Sequence, residues 1–185
     1  MKRYIFLLLA FLSINICAIS QDTIKIKGVP IQSKFDTFVR EIKNKGFEAV
    51  FESDEDVMFI GTFLDEKCYL VVKNANGNVS DIIISLTYKY SSWSSIKGKS
   101  DDIIGLFEKR FGKPGKIIHR YEYPYKEGDG HELIALRLGK LRYAGYFYVG
   151  GYMISISLTK ECDIIICYTN EKEYQKKQDE RINDI

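Results

Sequence analysis

The chain has 185 residues, with 27 Lys and Arg against 25 Asp and Glu and a formal net charge of +2. Two of these cations, Lys2 and Arg3, stand at the extreme N-terminus, so the rest of the chain is balanced in charge. Proteins that bind nucleic acid take much of their affinity from a clustered positive excess, and this composition excludes that class.

Residues 1–20 have the pattern of a secretory signal peptide. A short basic start precedes an almost unbroken apolar run over residues 4–18, and Ala18 and Ser20 are small side chains before a cleavage point at Gln21. The run is too short for a membrane span of about 20 residues, and no later segment is comparable. We therefore expect export, with a mature chain that is periplasmic or secreted and has no transmembrane segment.

A lipoprotein anchor is the alternative interpretation of this N-terminus. Cys17 would carry the lipid, but Ile16 stands where lipid-modifying processing prefers a small side chain. We therefore favour cleavage between Ser20 and Gln21 over an anchored chain.

The first half of the mature chain is predicted to be a helix followed by a meander of strands. Ser33 is placed to cap the helix, with Asp36 near the positive end of its dipole and Gly46 at its C-terminal end. The apolar stripe of this helix has the helical spacing and consists of Phe35, Phe38, Val39 and Ile42. Strands are predicted over residues 47–52, 57–64, 67–73 and 79–88, with a hairpin turn at Asn76-Gly77 between the last two.

The second half begins with a polar connector and a second helix. Residues 91–95 are predicted to form the connector, in which Trp93 packs at the junction between the halves; stacking of Trp93 on a ligand is the alternative. The helix is predicted to begin after Ser100 and to end at Gly112 and Pro114. Asp101 and Asp102 lie in its predicted first turn, and its apolar face consists of Ile103, Ile104, Phe107 and Phe111.

A second series of strands follows this helix. The predicted strands cover residues 117–125, 132–138, 142–149, 152–159 and 163–169, separated by short glycine-containing loops. The polar residues 171–185 are predicted to form a frayed helix or a disordered end.

A short phrase recurs in the two halves. SDIIISLTY at 80–88 and CDIIICYTN at 162–170 share an identical Asp-Ile-Ile-Ile core. FIGTF at 59–63 aligns with YAGYF at 143–147 when Gly61 is placed on Gly145. These matches favour a duplicated unit, although two amphipathic hairpins built from Ile, Val and Tyr would also resemble each other.

The duplication predicts the domain organisation and the fold class. Residues 21–90 form the first repeat and residues 91–170 the second, with 171–185 as a tail. Each repeat is a helix followed by an antiparallel meander, and two such units would join their strands in one broad sheet. We therefore predict an α+β fold with the helices on one face of the sheet.

Several short motifs are spread along the mature chain: KGVPI at 27–31, KGF at 45–47, FIGTF at 59–63, SSW at 91–93 and RFGKP at 110–114. In these motifs the sequence resembles small exported proteins of Bacteroidetes that have no assigned activity. The tandem plan is also similar, in architecture alone, to that of the β-lactamase-inhibitor protein and the small outer-membrane assembly lipoproteins. The resemblance implies an exported protein that binds other proteins, and it brings no functional residues with it.

The sequence contains few patterns that support catalysis. HELIA at 131–135 begins like the zinc-protease motif, but Ala135 replaces the second histidine. His119 is predicted to be a partly exposed strand residue rather than a general base, and its pairing with Cys68 or Cys167 as a nucleophile is the alternative. The acidic loops 52–56 and 126–132 are predicted to be solvated turns rather than weak Ca²⁺ sites. We expect no catalytic residue, no metal site and no cofactor.

Three cysteines remain after the predicted cleavage. Cys162 and Cys167 are five residues apart in a predicted strand, so they point to opposite faces and are too distant to bond each other. Any disulfide must therefore use Cys68. The alternative is that all three are buried thiols that act as small apolar side chains.

Rows of tyrosines are the candidate binding residues. Tyr121, Tyr123 and Tyr125 alternate along one predicted strand, and Tyr146 and Tyr148 alternate along another, followed by Tyr152 across a turn. Such rows form flat surfaces with polar tips that suit a sugar or a protein partner. Cross-strand packing within an ordinary sheet is the alternative.

These observations support three hypotheses about function. The first is a non-enzymatic binding or interaction protein of the cell envelope that uses an open sheet face or the loops to hold another envelope or secreted protein. The second is a carbohydrate-binding accessory protein that holds a glycan on the tyrosine rows. The third is a periplasmic hydrolase or redox protein centred on the histidines or the cysteines.

Overall fold

The structure, a computed structural model, describes residues 23–87 and 92–183. The predicted signal peptide and the alternative anchor at Cys17 lie outside these described residues, as do Tyr88 and Ser91.

The first half contains a small hairpin, one helix and four strands. In chain order these are β1 (Lys25–Ile26), β2 (Val29–Pro30), α1 (Phe35–Asn44), β3 (Glu48–Glu52), β4 (Asp56–Phe63), β5 (Glu66–Ala75) and β6 (Asn78–Leu86). The second half contains α2 (Trp93–Phe111), β7 (Lys116–Tyr121), α3 (Glu132–Arg137), β8 (Leu141–Val149), β9 (Tyr152–Leu158), β10 (Ile164–Asn170) and α4 (Glu171–Asn183). Strands β1 and β2 form a separate two-stranded sheet.

The other eight strands form one antiparallel sheet in the order β3-β4-β5-β6-β10-β9-β8-β7. Each half thus contributes a meander of four neighbouring strands, and the last strands of the two meanders pair at the centre of the sheet. Helix α1 packs on β5 and β6, and α2 packs on β8 and β9. The predicted α+β fold, with two tandem helix-plus-meander units and their helices on one face of a broad sheet, is confirmed.

The repeated Asp-Ile-Ile-Ile segments occupy equivalent positions. Ile84 lies directly opposite Ile166, and Ile82 and Tyr168 are partners on one side of this pair as Leu86 and Ile164 are on the other. A local two-fold axis through the Ile84–Ile166 pair therefore places each segment on the other. The repeated phrase marks the seam between the two units.

The register outside this seam corrects the alignment of the glycines. From the central pair outward, the core row of the first half is Ile84, Leu70 and Phe59, and that of the second half is Ile166, Ile156 and Gly145. Phe59 is therefore equivalent to Gly145, and the alignment of Gly61 with Gly145 was wrong by two residues. A shift of two leaves the inside-and-outside alternation of a strand unchanged, so the sequence pattern could not detect it.

The hydrophobic core lies between the sheet and the two long helices. Phe38 and Ile42 from α1, and Ile103 and Phe107 from α2, are buried against the sheet. These residues belong to the apolar stripes predicted from the sequence. Gly46 and Gly112 end the two helices, and each has a positive φ that glycine adopts without strain (87° and 83°).

The beginnings of both helices differ from the prediction. Ser33 does not cap α1; its hydroxyl donates to the Pro30 carbonyl, and the backbone N–H of Phe35 donates instead to the carbonyl of Gly77. Helix α2 begins at Trp93, not after Ser100, because Ser92 caps it by accepting the N–H of Ser95 (3.2 Å). Residues 93–95 of the predicted connector are therefore the first turn of a helix of 19 residues.

The predicted strand over residues 132–138 is wrong, because Glu132–Arg137 form a short helix. Before this helix, Asp129 accepts backbone hydrogen bonds from Lys126 and His131, and Glu132 accepts one from Gly128. These side chains hold the loop in a compact turn that leads directly into α3, so local hydrogen bonds override the strand-like pattern.

The sheet face opposite the two long helices is only partly covered. Near one end of its strands, Tyr174 and Gln178 of α4 line a cavity with Lys73, Ile83 and Cys167. The polar tail is thus a helix over residues 171–183, one of the two forms expected from the sequence. Elsewhere on this face the described part of the chain leaves apolar side chains exposed, among them Ile60 and Tyr69.

Candidate functional site

The structure does not bring the predicted tyrosines together. Strand β7 ends at Tyr121, and the chain then turns at Tyr123-Pro124, so the predicted row of Tyr121, Tyr123 and Tyr125 on one strand is wrong. Tyr123 is 93% exposed, whereas Tyr121 and Tyr125 are half-buried against the core.

The second tyrosine row has a different outcome. Tyr146 and Tyr148 do share the outer face of β8, as the alternation predicts. Tyr152, which was expected to extend this row, is buried on the core face of β9. Neither row forms a continuous tyrosine platform.

A cluster of aromatic rings surrounds His119 at the edge of the sheet. The His119 ring stacks on Trp93 with a centroid distance of 6.3 Å and meets Tyr143 edge-on at 5.1 Å. Its Nε2 atom lies 3.0 Å from the Tyr121 hydroxyl. Its Nδ1 atom is 3.7 Å from a carboxylate oxygen of Glu127. We refer to these five residues as the His119 cluster.

Trp93 was missed as part of this cluster because the connector was not recognised as helix. It lies in the first turn of α2, and this places its indole over β7 and β8. The alternation of His119 and Tyr121 along one strand was the sequence signal that could have indicated the pairing.

The polar groups around the cluster are already paired. The Tyr143 hydroxyl donates to one carboxylate oxygen of Asp101, and Lys97 lies 2.7 Å from the other. Burial, reinforced by the carboxylates of Glu132, Glu127 and Asp129, raises the pKa of Tyr121 to about 12. Tyr121 is therefore protonated at neutral pH.

Geometry separates the cysteines from His119. Cys68 on β5 and Cys167 on β10 are five and three strand spacings from β7, which correspond to roughly 24 and 14 Å at ~4.8 Å per spacing. The sequence left open a pair of His119 with Cys68 or with Cys167. Both alternatives are therefore wrong.

Two of the thiols have raised pKa values, which disfavours a nucleophilic role. All three described cysteines are free, and Cys68 and Cys162 are buried. Burial raises the pKa of Cys68 to about 11 and also raises the pKa of Cys167. A thiol with a raised pKa carries little of the nucleophilic thiolate at neutral pH.

The acidic loops use their oxygens internally. Asp129 and Glu132 accept the backbone N–H groups described above, and in the other loop Asp56 accepts a hydrogen bond from Ser53 (2.9 Å). Across the described ranges, 23–87 and 92–183, no group of three or more His, Cys, Asp or Glu side chains is arranged to hold a metal ion.

An apolar patch occupies the open outer face of the first meander. Four neighbouring side chains are well exposed there: Phe51 at 54%, Met58 at 36%, Ile60 at 42% and Tyr69 at 43%. Met58 lies opposite Phe51 on β3 and opposite Val71 on β5, and Ile60 lies opposite Tyr69. The outer patch, defined as Phe51, Met58, Ile60, Tyr69 and Val71, is thus continuous across three strands.

The outer face of the second half is different in chemistry. Following the same rows across the sheet, Val71 leads through Ile83 and Cys167 to Ser155, and Tyr69 leads through Ser85 and Ile165 to Ser157. Ser155 and Ser157 on β9 interrupt these rows, so the continuous apolar surface of the first meander does not follow from the duplication.

A cleft on the helix side is a second concave feature. It lies between the C-terminal half of α2, the β1–β2 turn and the β4–β5 turn, with a volume of about 400 Å³. Phe63, Phe107 and Tyr168 form part of its lining. No sequence pattern pointed to this cleft, because its walls come from four separate segments.

Comparison of the chain with models of protein families, with curated proteins and with solved structures gave no match. In the part of the chain that the structure describes, no helix combines the length and apolarity needed to cross a membrane.

Proposed function

We propose that this chain is a non-enzymatic binding protein of the cell envelope that holds a protein partner on its outer patch. The observation that carries the proposal is the continuous exposed surface of Phe51, Met58, Ile60 and Tyr69 on an open sheet face. Large contiguous apolar patches are uncommon on proteins that do not use them for binding. The predicted signal peptide supports an envelope location.

The patch has the chemistry of a protein interface rather than a small-molecule site. It extends across three paired strands, and it combines two aromatic rings with Met58, residue types enriched where proteins meet. Glu48 on β3 and Lys67 on β5 border it at the Ile60–Tyr69 end, and Asp56 and Lys73 border it at the other end. A fitting partner presents an apolar centre with a cation facing Glu48 and an anion facing Lys67.

Strand pairing at the β3 edge is disfavoured as the mode of binding. Antiparallel pairing of β3 with another β3 about its centre would place Glu48 opposite Glu52, and a bulge interrupts the register between Ala49 and Phe51. Charges and bulges of this kind protect sheet edges from further strands. The face of the sheet, not its edge, is therefore the proposed contact.

Catalysis has less support than binding. The His119 ring is held by Trp93, Tyr143 and Tyr121, and within the described residues no serine or cysteine hydrogen-bonds to it. Cys68 and Cys167 are remote from His119, and burial raises the pKa of both thiols. A hydrolase or redox role remains the alternative, tested by replacing both histidines and all three mature cysteines with alanine.

The proposal is tested by a charge placed in the patch. Ile60→Glu introduces a carboxylate at the centre of the outer patch, and Ile117→Glu makes the same change at another exposed strand isoleucine. We expect recovery of a cross-linked partner from envelope fractions to fall at least tenfold for Ile60→Glu and to stay unchanged for Ile117→Glu. Equal recovery of the partner with both variants would refute the proposal that the partner binds the outer patch.

Self-association is the competing use of the same surface. Sedimentation of the purified protein separates the two possibilities. If the partner is a different protein, the isolated chain should be monomeric. A stable dimer that Ile60→Glu dissociates would contradict the proposal of a different partner.

A carbohydrate role has one specific observation in its favour. Tyr123 is almost fully exposed beside the His119 cluster, where its ring could stack on a sugar. Glycan binding that is lost in Tyr123→Ala and kept in Tyr148→Ala, another exposed tyrosine, would support this second function. Retention of the outer-patch partner in Tyr123→Ala would show that the two sites are separate.

A further inference from the structure

The cleft beside α2 has an apolar interior and a cationic rim. Phe63, Phe107 and Phe111 line it together with Leu106, which is 48% exposed at its edge. The Phe107 ring packs against Phe111 and Tyr168 at centroid distances of 5.7 and 6.3 Å. This aromatic lining is rigid because it continues into the hydrophobic core.

Three cations surround this apolar interior. Lys25 and Lys27 approach from the β1–β2 hairpin, and Arg110 approaches from the last turns of α2. Within residues 23–87 and 92–183, none of the three forms an ion pair, and no Asp or Glu lines the cleft. The cleft therefore has an uncompensated positive charge.

The hydroxyl group of Tyr168 adds a directional donor to the cleft. Tyr168 on β10 is 3% exposed and lines the cleft, and in the described part of the chain its hydroxyl has no hydrogen-bond partner. Burial raises the pKa of Tyr168, and the nearby Arg110 opposes that rise. The hydroxyl is therefore protonated and can donate to an acceptor that enters the cleft.

The backbone at the edge of the cleft is strained. Lys27 and Leu64, which both line it, have a φ of 51° in the two hairpin turns. Residues other than Gly, Asn and Asp rarely adopt this backbone conformation, and such strain concentrates at functional sites.

From the apolar interior, the three unpaired cations and the Tyr168 hydroxyl, we infer that the cleft binds a small free amphipathic carboxylate. Its acyl or aryl body lies against Phe63, Phe107 and Phe111. Its carboxylate accepts hydrogen bonds from Arg110, Lys27 and the Tyr168 hydroxyl. A volume of about 400 Å³ fits a compact ligand of this type. This site lies on the helix side of the sheet and is independent of the outer patch.

Competition for a fluorescent amphipathic anion tests the ligand class. The purified protein is titrated with 8-anilinonaphthalene-1-sulfonate, and the dye is then displaced with decanoate, with 1-decanol or with inorganic phosphate. We expect decanoate to compete at least tenfold better than the uncharged alcohol of the same chain length, and phosphate alone not to compete. Equal competition by the alcohol, or binding only to vesicles of anionic phospholipid, would overturn the inference.

Matched variants assign the binding to this cleft. Arg110→Gln and Lys27→Gln each remove one charge from the rim, whereas Lys109→Gln removes the neighbouring charge of the same helix that does not line the cleft. We expect about tenfold weaker decanoate binding for the first two variants, the loss typical of one charge-assisted hydrogen bond, and no change for the third.

Tyr168→Phe gives a test that keeps the packing. It removes only the hydroxyl, and we expect a loss of about threefold in decanoate affinity with an unchanged melting temperature. If Arg110→Gln, Lys27→Gln and Tyr168→Phe all bind decanoate as well as Lys109→Gln does, the carboxylate does not lie in this cleft. Partner recovery through the outer patch would be unaffected by any of these four variants, which separates the failure of one proposal from that of the other.

Discussion

Ile84 and Ile166, which stand at the same place in the two repeated phrases, lie directly opposite each other in the central strand pair. Both are buried on the core face. A local two-fold axis therefore passes between identical residues, as it does at the interface of a symmetric dimer. The two units are joined as two copies of one subunit would be, but within a single chain.

This relationship predicts matched costs of truncation. Ile84→Ala and Ile166→Ala each remove the same buried atoms from related environments, so we expect each to lower the free energy of unfolding by about 2–4 kcal/mol. The two side chains are neighbours across the strand pair. The loss of unfolding free energy in the double variant should therefore differ from the sum of the two single losses. Urea denaturation measures all three values. A cost below about 1 kcal/mol for one of the two would contradict their equivalence.

The corrected register predicts that the two core glycines tolerate a methyl group differently. A Cβ atom at Gly61 would lie 2.4 Å from the Phe47 ring, whereas one at Gly145 would lie 3.2 Å from the end of the Ile104 side chain. We expect Gly61→Ala to destabilise the protein by about 1–3 kcal/mol and Gly145→Ala by less, since Ile104 can change its rotamer.

A third glycine provides the control for this comparison. Gly98 lies inside α2, and nothing stands within 4 Å of a Cβ atom added there. Gly98→Ala should therefore stabilise the protein by about 0.5–1 kcal/mol through helix propensity alone. Equal costs at Gly61 and Gly145 in thermal or urea unfolding would argue that the two positions are related after all.

Two serines of α2 should respond in opposite directions to the same substitution. Ser92 caps the helix, so Ser92→Ala should lower the free energy of unfolding by about 1 kcal/mol. The Ser100 hydroxyl is buried and has no hydrogen-bond partner among the described residues, so Ser100→Ala removes an unsatisfied group and should be neutral or stabilising. Equilibrium unfolding of both variants is the measurement. If Ser100→Ala is the more destabilising change, Ser100 rather than Ser92 caps the helix, and the start of α2 at Trp93 is wrong.

The buried thiol of Cys68 predicts a loss of stability at alkaline pH. Burial raises the pKa of Cys68 from 9.0 to about 11 in the folded chain. Between these values the unfolded chain loses the thiol proton and the folded chain keeps it, so stability is full below pH 9.0 and falls as the pH rises toward about 11. Unfolding free energies measured from neutral to alkaline pH should show this decline, and Cys68→Ala should reduce it.

Alkylation gives a second measurement of the same property. Cys68 should react with iodoacetamide at neutral pH only after the protein unfolds, because the thiol is buried and protonated. Rapid modification of Cys68 in the folded protein would contradict its burial.

Much of the architecture could be predicted from local patterns. The stripe of Phe35, Phe38 and Ile42 and the strand alternation depend on short-range periodicity, which a sequence displays directly. The errors occurred where local chemistry competes with that periodicity. Ser92 capped a helix hidden by a serine-rich segment, and Asp129 with Glu132 organised a turn that leads into α3.

The candidate sites were less accessible to such patterns. His119 and Tyr121 are near in sequence, and their pairing could be expected, but Trp93 reaches them only because α2 crosses the sheet. The outer patch could be recognised only in part, since the sequence shows apolar residues on alternating positions without showing which face remains open.

The sequence by itself determined that this chain forms two related helix-plus-meander units, because hydrophobic periodicity and the repeated Asp-Ile-Ile-Ile core are local properties. Only the tertiary structure decided which residues are opposite each other across strands and which surfaces remain uncovered. A strand that shifts by two residues keeps its faces, and clefts such as that of Lys27, Phe63, Arg110 and Tyr168 combine residues distant in the chain. Register and long-range packing therefore determine the sites that local pattern leaves open.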